Sequence, residues 1–175
     1  MSIITRRGDD GQTDLMYGGR ISKVSAEVVA CGTVDELTSS LGLVRVSGVS
    51  EEISGQIDTI QGHLVALMGL LSVPAVNRDK YLADGYPTVD QADVDWLESV
   101  AVDMPTEFTG WARPGASGHV GAAHMDVART VCRRAELSAW ALGGESPVLA
   151  CRYLNRLSDI LWLWARKLEG EDGAN

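Results

Sequence analysis

Apolar residues recur along this chain at intervals of three and four, the spacing that puts them on one face of an α-helix. The clearest run is Ile53, Ile57, Ile60, Leu64, Leu67 and Leu71, which predicts a bundle helix packed at a shallow angle and stopped by Pro74. Before it, Val28, Val34, Leu37, Leu41 and Val44 predict a helix from about Ser25, with Leu43 and Val46 extending the stripe. After it, Asn77 to Val89 holds Gly85 and Pro87 among polar residues and reads as an exposed, mobile loop. Asp90 or Asp93 then caps a shorter helix with Val94, Leu97, Val100 and Met104 inward, closed by Pro105. Two long helices follow, roughly His119 to Leu142 and Ser146 to Leu168, the second opened by a Ser-Pro start. No stretch alternates apolar and polar residues for long enough to predict a strand. The pattern therefore predicts an all-α five-helix bundle with ferritin-like up-down packing, one domain over residues 1–175, with a frayed tail at 170–175.

Composition adds constraints. The 175 residues fit one hydrophobic core, and 45% hydrophobic with 22% charged residues is ordinary globular usage. The net charge of −9 argues against a nucleic-acid or anionic-membrane binder, since both need positive fields. Three widely spaced cysteines, Cys31, Cys132 and Cys151, form neither a disulfide scaffold nor a zinc site and fit a reducing cytoplasm. The N-terminus turns polar too early for a secretory signal.

Charge is distributed unevenly. Residues 46–112 carry two cations against eleven acids, which equals the whole excess. Residues 113–156 hold six arginines against three acids, and residues 1–23 hold four cations against three. Cations therefore gather beside the two glycine-rich stretches, the N-terminal one and TGWARPGASGHVG. Thr5-Arg6-Arg7-Gly8-Asp9-Asp10-Gly11-Gln12-Thr13 offers glycines that turn amides inward with Thr and Arg donors beside them, the composition of a phosphate cradle. It lacks the GKT or GKS of a Walker A loop. Arg129, Arg133 and Glu136 share one helical face, and Asn155 stands between apolar positions of the next helix. Asp35 and Glu36 fall between apolar residues of the first helix, which predicts a buried carboxylate paired with an arginine of the Arg129 type. The three histidines show no metal-binding spacing and read as packing or surface residues.

Together, TRxGDxGxT, a lysine about ten residues on (Lys23), GTVDEL, ARTVCRRAE and YLNRLSD resemble, in order over nearly the whole chain, the PduO-type ATP:cob(I)alamin adenosyltransferases. That resemblance implies a cytoplasmic homotrimer with active sites between adjacent subunits, making adenosylcobalamin from ATP and cob(I)alamin with release of triphosphate. The N-terminal segment, 1–23, would be an ordered nucleotide-binding loop, with Thr5, Arg6, Arg7, Gly8, Thr13 and Lys23 on the phosphates. Arg133, Arg134, Glu136 and Asn155 of a neighbouring subunit would complete the site, with Glu136 and Asn155 beside Mg²⁺. Arg133, Arg129 and Asp35 would be the catalytic group, Asp35 pairing with Arg129 across the interface. Trp111 aligns with the family's aromatic on the corrinoid face, although Arg113 replaces an apolar residue and Pro114 to Arg129 is about two residues longer than usual. Implied partners are further copies of the chain, a flavin reductase and a cobalamin-dependent enzyme, with no nucleic acid and no membrane. The altered loop raises an alternative of the same fold, a non-catalytic ATP-dependent corrinoid carrier or nucleotide sensor.

Overall fold

In the computed structural model of the chain, residues 4–102, 104, 112–143 and 148–171 are described. Long helices form wherever the apolar stripe is longest. α1 spans Ala26–Arg45, α2 Glu51–Leu71, α5 Val120–Trp140 and α6 Val148–Glu171, with the shorter α3 at Arg78–Ala83 and α4 at Gln91–Ser99. The described residues thus contain six helices where the apolar pattern predicts five. α3 lies in the segment expected as loop. It was hidden because only Tyr81 of its six residues is buried, too few to show a period.

Neighbouring long helices run antiparallel. Gln61 on α2 donates to the Thr38 carbonyl of α1 at 2.9 Å, and the Cys132 thiol on α5 reaches the Leu154 carbonyl of α6 at 3.2 Å. The stripe of α2 is buried along its whole length, and meets Val34, Leu37, Leu41 and Val44 of α1 with Leu154, Leu157 and Leu161 of α6 in one core. Leu43 and Val46, expected in the α1 stripe, are exposed instead. They lie on the far side of the helix from Leu37 and Leu41.

Helix starts follow local chemistry. Asp90 and Asp93 form a reciprocal capping box on α4, at 3.1 and 2.9 Å, and His119 Nδ1 accepts from the Ala122 amide at the start of α5. The Ser-Pro start expected for α6 lies outside the described residues.

The N-terminal stretch is more regular than its sequence suggests. β1 (Gln12–Asp14) and β2 (Arg20–Ser22) pair antiparallel, with Thr13 opposite Ile21. Strands of three residues leave no alternation for the sequence to show. Among the described residues, no helix is long and apolar enough to cross a membrane.

Candidate functional site

The hairpin closes the predicted cradle. The Lys23 amide donates to the Gly11 carbonyl at 2.9 Å and the Gly11 amide to the Gly8 carbonyl at 3.2 Å. A β-carbon on Gly8 would stand 2.6 Å from Lys23 Nζ, so the glycine leaves room for that ammonium against the loop, and a side chain there would push the flexible lysine end aside. Arg7 pairs with Asp14 at 3.0 Å, and Arg20 with Asp10 at 2.9 Å. The Arg20 hydrogen bond, helped by the Gln12 amide, holds the Asp10 carboxyl below its ordinary range. Arg6 (φ 58°) and Lys23 have no carboxylate partner among the described residues, and Thr5 is exposed beside them.

A cavity of about 450 Å³ opens between this hairpin, the first half of α1 and the end of α2. Thr13, Asp14, Glu27, Cys31, Asp35 and Ser72 supply its polar lining, with Val28, Met68 and Leu71 as apolar walls. The structure therefore brings Thr13 and Asp35 together. Burial, with the Asp35 charge as a smaller cause, pushes the Cys31 thiol up and keeps it protonated.

Asp35 and Glu36 are both exposed, contrary to the expected buried carboxylate. The α1 stripe turns its polar positions to the surface, and Glu36, not Asp35, pairs with Arg134 of α5. Within the chain Arg129 lies 3.8 Å from Asp126, one turn back on its own helix.

Arg133 is exposed on α5 and makes no ion pair among the described residues, although Glu136 lies one turn on along the same face. Glu136 is half-buried, and Asn155 lies exposed on the outer face of α6 between buried Leu154 and Leu157, not in the core. Neither makes a hydrogen bond or ion pair through its side chain among the described residues. Arg6, Lys23 and Arg133 thus stay uncompensated in an acidic molecule, which suits them to an external polyanion. Among the described residues, no hydrogen bond or ion pair links residues 5–23 to Arg129, Arg133, Arg134, Glu136 or Asn155. Trp111 lies outside the described residues.

Two buried networks escaped the sequence reading. Asp126 accepts from Arg166 Nη2 at 2.6 Å, with their side chains only 5% and 8% exposed, and Glu169 backs Arg166 at 2.7 Å. The pair is forty residues apart in sequence; its only local signal is the Arg166–Glu169 spacing of three. His63 bridges α2 to α4 and α6: with Nε2 protonated toward Asp93 at 3.2 Å, Nδ1 accepts from the Tyr153 hydroxyl at 2.9 Å. Burial, and secondarily the Asp93 charge, pushes the Tyr153 phenol up, so it stays a donor. This places His63 in packing; among the described residues no cluster of three His, Cys, Asp or Glu could hold a metal alone.

The chain matches the cobalamin adenosyltransferase family over residues 3–168. It is 38% identical to a cobalamin adenosyltransferase of Cupriavidus metallidurans, over 99% of this chain and 91% of that one. A corrinoid adenosyltransferase of Mycobacterium tuberculosis is 35% identical over 94% of this chain and 86% of its own. Among solved structures, a variant PduO-type ATP:corrinoid adenosyltransferase from Lactobacillus reuteri, complexed with cobalamin and ATP, superposes with a TM-score of 0.80 and 28% identity. That alignment covers 94% of this chain and 92% of the other. A match of this extent, on a chain whose cradle and arginine face are built as described, has one reading: this protein belongs to the cobalamin adenosyltransferase family.

Proposed function

We propose that this chain transfers the 5′-deoxyadenosyl group of ATP to cob(I)alamin, giving adenosylcobalamin and triphosphate. The observation that carries the proposal is the pairing of the family match over residues 3–168 with unpaired cations at both family phosphate motifs, Arg6 and Lys23 in the loop and Arg133 on α5.

The chemistry asks for positioning more than for acid–base groups. Cobalt(I) attacks the 5′ carbon with its electron pair, a cobalt–carbon bond forms, and the carbon–oxygen bond to triphosphate breaks. The protein's part is to hold the three atoms in line and to stabilise charge on the departing oxygen. Lys23 and the loop from Gly8 to Thr13 approach the phosphates from one side, with the side chains of Thr5, Arg6, Arg7 and Thr13 as further donors. The Arg7–Asp14 pair is exposed and weak enough for Arg7 to exchange partners. Arg133 and Arg134 approach from the other side.

Glu136 and Asn155 fit Mg²⁺ bound with nucleotide. Such a metal keeps several waters and needs only one or two protein oxygens, and these two side chains are unengaged. When bound, Mg²⁺ would screen the triphosphate charge.

The site is completed by assembly. Val29, Leu43, Val120, Val127 and Leu137 are exposed along the outer face of α1 and α5, with the Glu36–Arg134 pair at its middle. A homotrimer covers that face and brings the loop of one protomer to Arg133 of the next. It would also let Asp35 of one protomer meet Arg129 of another. Trp111 would border the corrinoid, and the cytoplasm supplies the reducing setting that cobalt(I) requires.

An anaerobic assay with reduced cobalamin, ATP and Mg²⁺ tests the proposal. Loss of the cobalt(I) spectrum with stoichiometric triphosphate supports it. Binding of both ligands without turnover points to a corrinoid carrier instead.

A further inference from the structure

Tyr17 occupies the turn between β1 and β2 with φ 66°, followed by Gly18 at 91° and Gly19 at 90°. Left-handed backbone disfavours a residue with a β-carbon, so a tyrosine held there needs a compensating contact. Three groups supply one. The Tyr17 hydroxyl donates to Asp84 Oδ2 at 2.6 Å, Lys80 Nζ lies 4.1 Å above the Tyr17 ring, and Lys80 stands 3.7 Å from Asp84. One residue earlier, the Met16 amide donates to the Ser72 carbonyl at the end of α2, at 3.2 Å.

Asp84 and Lys80 are a firm anchorage because α3 is itself fastened to α2. Tyr81 is buried, its hydroxyl donates to the Pro87 carbonyl at 3.1 Å, and its ring stacks on Tyr86 at 4.9 Å. The Tyr81 hydroxyl also fills the space that a β-carbon on Gly69 would take, so α3 is seated directly on the α2 backbone.

We propose that Tyr17, Lys80 and Asp84 form a clamp that holds the N-terminal hairpin on α3 and so positions Gly8 and Lys23 for the nucleotide's triphosphate. The proposal rests on the adenosyl-transfer reading and adds positioning residues to it. None of the three belongs to the phosphate-binding set, so the clamp acts through the population of the competent loop. If release lowers that population to a fraction, apparent ATP affinity falls by the same fraction, while saturating ATP refills the competent state. The signature is therefore a raised KM for ATP with kcat and the corrinoid KM unchanged. A purely structural contact would leave all three alone.

The test uses the full chain with Tyr17→Phe, Asp84→Asn and the double variant. Steady-state kinetics are combined with amide hydrogen exchange across residues 5–23 without nucleotide. Each single variant is expected to raise the ATP KM about three- to tenfold at nearly constant kcat, and to speed exchange. The double variant is expected to be no worse than the stronger single one, because both break the same bond. Unchanged ATP KM and unchanged exchange in both single variants would overturn the clamp, as would fully additive effects in the double. A parent chain that consumes no cobalt(I) with ATP refutes the adenosyl-transfer reading instead, and exchange still decides whether the clamp holds the hairpin.

Discussion

Arg133 projects from α5, exposed and without an ion pair among the described residues, and has little packing to lose. Arg133→Ala is therefore expected to lower kcat/KM by about 10²- to 10³-fold, the usual loss for a donor aimed at developing negative charge, with thermal unfolding nearly unchanged. Unfolding of the variant with ATP affinity intact would contradict that role. Asp126 is the opposite kind of residue. Its removal strands the Arg166 guanidinium in the interior, so Asp126→Ala is expected to cost about 3–5 kcal/mol in denaturant unfolding. Tyr17 gives a pH signature. Burial first, then the Asp84 hydrogen bond, push its phenol up to about 12. A raised value means the folded state prefers the protonated form. The contribution of Tyr17 to hairpin attachment is then complete below the ordinary phenol value near 10 and is lost as pH climbs through about 12. Phenolate absorbance of the native chain against Tyr17→Phe measures this directly; a Tyr17 that titrates with the unfolded chain would refute the contact.

At the scale of elements, α3 leaves the least trace in the sequence, and the hairpin rests on it through Tyr17 and Asp84. A methyl group at Gly69 would overlap the Tyr81 hydroxyl, so Gly69→Ala is expected to destabilise by about 1–3 kcal/mol and to loosen α3 before the bundle unfolds. Hydrogen exchange localised to residues 78–84 would show it; uniform loss of protection would not fit. The long helices were legible because each buries one continuous stripe, as Ile53 to Leu71 does, and spacing is all that such burial requires. α3 and the hairpin are held by contacts distant in sequence, Tyr81 on Gly69 and Tyr17 on Asp84, which no local period records. The cradle was legible from composition, since glycines and cations crowd into a few residues. Asp126 with Arg166 was not, because two single charges on separate helices carry no pattern. Leu43 and Val46 mark another limit: spacing shows that an apolar residue shares a helix face, not whether that face meets its own core.

At the scale of the whole molecule, α1 and α5 lie side by side and leave Val29, Leu43, Val120, Val127 and Leu137 exposed on their outer face. Leu137 is 69% exposed and Val120 60%. Apolar patches of this kind mark association surfaces. Leu137→Glu is expected to yield folded monomers by sedimentation, with adenosyl transfer lost because no neighbour supplies the arginine face; an active monomer would remove assembly from the mechanism. The most direct measurement of the shared site is complementation between Lys23→Ala, defective in the loop, and Arg133→Ala, defective on α5. Each alone should be nearly inactive. Co-expressed in equal amounts, they should recover about a quarter of parental turnover, the fraction of sites that pair an intact loop with an intact helix at random. Mixed oligomers that form but remain as inactive as either variant would contradict a nucleotide site built between neighbouring subunits.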